Sequence, residues 1–263
     1  MKASAALFDR ISAPAAGVTV LIYHCVGGRT ASAVDLPVGL FREQMAWLAD
    51  SGCVISLDAA IQRLAVAGPS EAETSIVVTF DDGTADWSTT VMPILVELDV
   101  PATFYVATSF IEDQRPFPGG GRPDSWGGLA DMVSTGLATI GSHTHRHVLL
   151  DRVDAATARD EVDRSAGMIE EKLGRQCQHF AYPKALVGSS EAQAEVRRRF
   201  ASAALAAGRV NVAGSADLHR LWRTPIQRQD GMRWFKRKAT GGLRLEGALR
   251  ERVNRTRYAD SIV

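Results

Sequence analysis

Two short stretches of this chain carry side chains that bind cations and move protons. In TFDDG (79–83), Asp81 and Asp82 follow an apolar run, and adjacent residues of an extended chain face opposite ways. One carboxylate can ligate a cation while the other addresses a bound water, and Gly83 lets the chain turn. In GSHTHRHVLL (141–150), three residues separate His143 from His147, with His145 between them. Two imidazoles and a carboxylate form the open three-ligand set of a catalytic zinc or similar divalent site, which leaves room for water or substrate. Each stretch alone has a plainer reading: Asp and Gly dominate turns, and clustered histidines also occur in exposed polar loops. Together they support each other. A two-histidine, one-aspartate set needs a second carboxylate to take a proton from water, and Asp81 supplies one.

The elements that must position these groups alternate between two periods. Apolar runs rich in β-branched residues predict strands at 18–24, 75–80, 102–107, 137–143, 179–183 and 202–207, with a weaker one at 221–226. Helical stripes fall between them: Phe41, Met45 and Leu48 closed by Gly52, and Leu57, Ile61 and Leu64 closed by Gly68. The clearest helix runs over 154–173, capped by Asp154 and ended by Gly174. Asp124 or Ser125 can cap another that carries Trp126, Leu129 and Met132. Alternating strands and helices imply an α/β fold with a mostly parallel sheet. His24, Asp81, Asp82, His143 and His147 all fall at carboxyl ends of predicted strands, the rim where such folds build their sites.

Composition sets the outer bounds. With 263 residues, 46% hydrophobic and 23% charged, the chain suits one large globular domain. Its 30 basic and 30 acidic residues cancel, so no global field draws nucleic acid. The distribution is uneven: 220–257 holds twelve basic residues against three acidic ones, a net +9 balanced by −9 elsewhere. The cluster Trp234 to Lys238 could touch phosphate or an anionic surface, or simply lie as a solvated helix against the acidic remainder. Three cysteines at unrelated spacings give neither a disulfide framework nor a paired-cysteine metal site. The sequence shows neither a signal-peptide core nor a transmembrane stretch, and the expectation is a cytoplasmic protein.

From LIYHCV to about Ile226 the sequence resembles the polysaccharide deacetylase family, also called the NodB homology domain or carbohydrate esterase family 4. The resemblance lies in an ordered series: YH after the first strand, TFDDG, VPATFYVAT, a Trp-led helix, IGSHTHRH, FAYP and a late Arg strand. It implies a distorted (β/α) barrel of about seven parallel strands over residues 1–230, with 231–263 as a basic helical extension. It also implies a divalent metal, commonly zinc, held by Asp82, His143 and His147, with Asp81 as catalytic base. The implied substrate is an N-acetylated sugar, whose acetamide is hydrolysed to acetate and a free amine. By the same similarity Tyr182, Pro183 and Lys184 lie against substrate, and a backbone N–H near Lys184 stabilises the oxyanion.

The chain departs from the family pattern in three places. Ala181 stands where many members carry the Arg that orients the base, and Arg223 on the late strand is either the candidate replacement for pairing with Asp81 or a plain structural salt-bridge residue. Lys184 and Ala185 replace an aromatic residue and a glycine. The late leucine-x-histidine motif is not evident, which leaves His24 as the candidate to protonate the leaving amine, or as a structural histidine beside Tyr23. His145 and His179 are read as non-ligands, and Trp87 and Trp126 as core residues rather than sugar platforms. An amidohydrolase of the same fold acting on a non-sugar amide or cyclic imide, and a binding protein with a relic site, are the competing readings.

Overall fold

The computed structural model describes residues 17–66, 74–118 and 120–242. Seven strands form one parallel sheet: β1 (Val18–Tyr23), β2 (Ser75–Asp82), β3 (Ala102–Val106), β4 (Ala138–Ser142), β5 (His179–Ala181), β6 (Ser202–Ala204) and β7 (Arg223–Pro225). Their spatial order is β6-β5-β4-β3-β2-β1-β7. The two ends nearly meet. Ala204 bridges Leu221 in parallel, and the Leu205 N–H donates to the Leu221 carbonyl at 2.8 Å, so the sheet curls into an almost closed barrel.

β1 and β2 read as continuous apolar runs because both faces of the sheet are covered. Alternate residues divide between two cores. Tyr23, Phe80, Phe104 and Trp87 pack outward among the helices, where the Phe80 and Phe104 rings stack at 4.8 Å. Val18, Val20, Val77, Tyr105, Ala181 and Ala204 form the inner cluster. Asp81 is two and four residues beyond Thr79 and Val77, and therefore shares the inward face.

The strand boundaries shift for local reasons. β2 runs two residues past the expected end, through both aspartates. β5 stops at Ala181, because Pro183 has no N–H to donate and the chain turns into a short 3-10 segment at Pro183–Ala185. Past β6 the chain still pairs, with Ala207 N–H donating to the Arg223 carbonyl at 3.1 Å.

Eight helices surround the barrel among the described residues: α1 (Val38–Ser51), α2 (Leu57–Val66), α3 (Met92–Glu97), α4 (Thr108–Asp113), α5 (Trp126–Ser134), α6 (Ala155–Leu173), α7 (Ser190–Arg199) and α8 (Gly231–Ala239). A π-helical turn, Trp87–Val91, leads into α3. On α6, the Asp154 carboxylate accepts the Thr157 N–H at 2.7 Å, and Gly174 closes the helix at φ 63°. Ser125 caps α5, while Asp124 turns to Ser88. Gly68 lies outside the described residues.

The described part of the basic C-terminal region is α8, which docks on the barrel. Phe235 is buried with its ring 5.7 Å from that of Trp47 on α1. The buried Lys238 ammonium bonds the Asp230 carboxylate at 2.8 Å and the Pro225 carbonyl at 2.9 Å. Residues 243–263 lie outside the described residues. No helix among the described residues is long and apolar enough to cross a membrane.

Candidate active site

The carboxyl ends of β1, β2, β4 and β5 converge on one rim. Asp81 and Asp82 part company there, as adjacent residues of a strand must. Asp82 sits at φ 92°, followed by Gly83 at φ 117°, and this left-handed pair breaks the strand and swings the Asp82 carboxylate towards the histidine loop. A side chain at position 83 would meet the Ile111 Cδ1 atom at 3.0 Å, so glycine also answers a close approach.

His143 follows β4 directly, its N–H donating to the Val106 carbonyl at 2.9 Å. Thr144 and His147 adopt left-handed φ values of 66° and 62°. That double reversal curls the loop so that the two imidazoles face each other, centroids 4.9 Å apart. Several non-glycine residues in this region of backbone space on one rim store strain of the kind that gathers at functional sites.

The Asp82 Oδ1 atom lies 3.4 Å from His147 Nε2 and 3.8 Å from His143 Nε2. One ligand atom from each of Asp82, His143 and His147 falls within 4.8 Å of the others, and no other such group occurs among the described residues. The set fits a divalent cation on a second count. His143 Nδ1 lies 2.7 Å from the Ala181 carbonyl, which can only accept, so Nδ1 carries the hydrogen and Nε2 keeps a lone pair for the cluster. Burial pushes the His143 imidazolium down to about 4, against the pull of Asp81, which keeps the ring neutral as a ligand must be.

Asp81 points into the barrel mouth and is buried. Arg223, itself fully buried on β7, grips it through Nη1 to Oδ1 at 2.6 Å and Nη2 to Oδ2 at 2.8 Å. Burial alone would raise the Asp81 carboxyl; Arg223, then His143, outweigh it and hold the group below the usual carboxylate range. The guanidinium is fixed in turn by the Leu205 carbonyl and Thr79 Oγ1, each at 3.2 Å, and stands 5.1 Å over the Tyr105 ring. Asp81 Oδ2 lies 4.0 Å from His143 Nε2, so its free lone pairs border the cation cluster.

His24 ends β1 at the same rim. Its carbonyl accepts the Trp87 indole N–H at 2.8 Å, and its Nδ1 is buried with no hydrogen-bond partner among the described residues. His145 turns away from the cluster to Thr108, with Nδ1 2.9 Å from Oγ1. His179 lies at the opposite end of β5, bonded to Ser202 and Asp58. His219 is tied to the Phe200 carbonyl before β7 begins.

In the turn after β5 the Tyr182 side chain is buried edge-on against Phe180. Pro183 is buried as well, while Lys184 is exposed. The turn uses the N–H groups of Tyr182, Ala185 and Leu186 on the carbonyls of Ala204, Tyr182 and Pro183. Lys184 and Ala185 both sit at positive φ, 53° and 58°. Trp87 is core, and Trp126 is half-buried with its N–H on Glu112.

Sequence reasoning missed Thr79 and Tyr105, the supports of Arg223. Thr79 had a visible sign: a hydroxyl inside an apolar strand, two residues before Asp81 and so on its face. Tyr105 had none, since an aromatic residue in a strand usually packs in the core.

Solved structures that share the fold include a Streptococcus pyogenes deacetylase, PplD, in complex with acetate (TM-score 0.73, 19% identity, 84% of this chain and 97% of that one). IcaB from Ammonifex degensii aligns with a TM-score of 0.72 at 24% identity over 85% of this chain and 98% of that one. A de-N-acetylase from Aggregatibacter actinomycetemcomitans aligns with a TM-score of 0.66 at 19% identity over 84% of this chain and 99% of that one. No curated protein matches the chain in sequence. The family model described as polysaccharide deacetylase matches residues 69–200, a span that holds the TFDDG, GSHTHRH and FAYP segments. The chain belongs to the polysaccharide deacetylase family, hydrolases of carbon–nitrogen bonds other than peptide bonds.

Proposed function

We propose that the protein is a metal-dependent N-deacetylase of an amino sugar within an oligosaccharide, polysaccharide or glycoconjugate, releasing acetate. The observation that carries this reading is the division of labour between the two aspartates. Asp82 turns to a pair of imidazoles, while Asp81 stays beside them, ionised and clamped by Arg223.

Asp82, His143 and His147 would hold the ion, which when bound supplies Lewis-acid polarisation of the acetamide carbonyl and a lowered pKa for the attacking water. Asp81 is the base. Each of its oxygens accepts one bond from Arg223 and keeps a lone pair, enough to orient the water and take its proton. Arg223 is the positioning residue that fixes the carboxylate's angle, the part that Ala181 cannot play. The Ala181 carbonyl instead orients His143. The Lys184 N–H, in the turn beside that carbonyl, is assigned to the oxyanion. As the tetrahedral carbon collapses, the carbon–nitrogen bond breaks and His24 delivers a proton to the departing amine.

The experiment is acetate release by zinc-loaded protein from N-acetylated oligosaccharides, nucleotide sugars and simple amides, with Asp81→Asn as control. Release from sugars that stops in the variant supports the reading. Release only from non-sugar amides, or from nothing while metal stays bound, would reject it.

A further inference from the structure

We propose that Glu161, on α6, is a positioning residue for the histidine loop: its buried carboxylate grips the backbone between His145 and His147 and so fixes the two imidazoles for a cation. This rests on the reading of Asp82, His143 and His147 as a metal site and adds a residue to it.

The loop has to be held. Thr144 and His147 sit at φ 66° and 62°, a region in which residues other than glycine persist only when their surroundings over-determine it. Three elements supply those contacts. On β3, the Val106 carbonyl accepts the His143 N–H at 2.9 Å. At the start of α4, the Thr108 N–H donates to the Thr144 carbonyl at 3.3 Å and the Ser109 N–H to the His145 carbonyl at 2.8 Å. From α6, Glu161 Oε2 accepts the Arg146 N–H at 2.7 Å, while Oε1 accepts the Arg146 Nε–H at 2.5 Å.

The Glu161 contact differs from the others in kind and in place. Of these backbone bonds it alone ends on a carboxylate, and bonds to carboxylates are shorter and roughly twice as strong as neutral ones. It also acts one residue before His147, whose reversed backbone brings Nε2 to 3.4 Å from Asp82 Oδ1. The Glu161 side chain is 0% exposed, whereas the Arg146 side chain paired with it is 52% exposed. Withdrawing a carboxylate from water is costly, and a half-exposed guanidinium offsets only part of that cost. The backbone grip is what the buried position adds.

A second, neutral latch comes from the same face of α6. Ser165, four residues on from Glu161 and also buried, places Oγ 2.6 Å from Ser142 Oγ, and Ser142 Oγ accepts the Thr144 N–H at 3.2 Å. One stripe of α6 therefore holds the loop near its start through Ser165 and near its end through Glu161. Without the carboxylate the Arg146 N–H loses its acceptor, and the loop can relax away from the reversed backbone that turns His147 to Asp82.

The test reads zinc affinity, by competition with a chromophoric chelator, and the visible absorption of the cobalt(II)-loaded protein, whose bands report ligand geometry. Glu161→Ala should weaken zinc binding by about 10- to 100-fold, the usual worth of a residue that orients metal-binding histidines, and should shift the cobalt bands. Glu161→Gln retains an oxygen that can accept the Arg146 N–H; it should lose severalfold, and it carries the test if the alanine variant does not fold. Arg146→Met keeps the backbone bond and should bind zinc nearly as wild type does. His179→Ala, destabilised at the far end of the barrel, should keep both the affinity and the spectrum. Unchanged affinity and cobalt bands in both Glu161 variants would overturn the inference while leaving the metal site standing. An equal loss in His179→Ala would overturn it by tracing the effect to general stability, and an equal loss in Arg146→Met by tracing it to the side-chain ion pair. Wild type that binds neither ion would reject the metal site itself, and this inference with it.

Discussion

His143 and His179 stand at opposite ends of the same barrel, both at strand termini and both buried. At the floor, His179 has both ring nitrogens engaged, Nδ1 with Ser202 Oγ at 3.0 Å and Nε2 with Asp58 Oδ1 at 3.0 Å. At the rim, His143 spends only Nδ1, on the Ala181 carbonyl, and leaves Nε2 facing Asp81 at 4.0 Å and Asp82 at 3.8 Å, too long for a hydrogen bond. The Nε2 lone pair of His143 therefore remains available to a ligand at the rim, whereas both ring nitrogens of His179 are already spent. Burial does not distinguish the two histidines. Their unspent valence does.

The strongest way to break this comparison is to remove rim ligands. Asp82→Ala, His143→Ala and His147→Ala should each lose bound metal by atomic emission and lose turnover with it. Asp81→Asn should keep the metal while kcat falls by about 10²- to 10⁴-fold, the usual worth of a positioned general base. For His24→Ala the expected loss is about 10²-fold with metal retained, and a rate equal to wild type would remove it from the mechanism. Arg223→Leu leaves the buried Asp81 carboxylate unpaired, which should lower stability in chemical denaturation by about 3–5 kcal/mol. At the small end, His179→Ala should cost about 1–3 kcal/mol through the unpaired Ser202 and the lost contact to Asp58, with metal content unchanged. If His179→Ala emptied the rim of metal, the contrast between the two ends would collapse.

Much of the barrel was legible because its strands announce themselves as apolar runs and its helices carry caps. Asp154 and Gly174 bound α6 where expected, and Ser125 caps α5. The rim residues were legible because ligand-type side chains at strand ends are rare enough to notice, and the pairing of Arg223 with Asp81 followed from the absence of an arginine at 181. What escaped depends on contacts between distant segments. The burial of Tyr182 follows from the turn at Pro183 and the packing of Phe180, and nothing in FAYP itself says which way the ring will face. The Ala181 carbonyl on His143 is invisible for a similar reason, since a backbone acceptor carries no sequence signature. Left-handed backbone at Asp82, Thr144, His147 and Lys184 was equally hidden, because tertiary contacts hold residues there that prefer other conformations.

The central claim is that two adjacent aspartates do different work, one holding a cation and one moving a proton. Its most direct test is to measure zinc content and acetate release together on Asp81→Asn and Asp82→Ala, prepared side by side with wild type. Zinc bound by Asp81→Asn, zinc lost by Asp82→Ala, and acetate release cut by about 10²-fold or more in both is the result this division requires. Loss of zinc from both variants alike, or acetate release near the wild-type rate by Asp81→Asn, would contradict it.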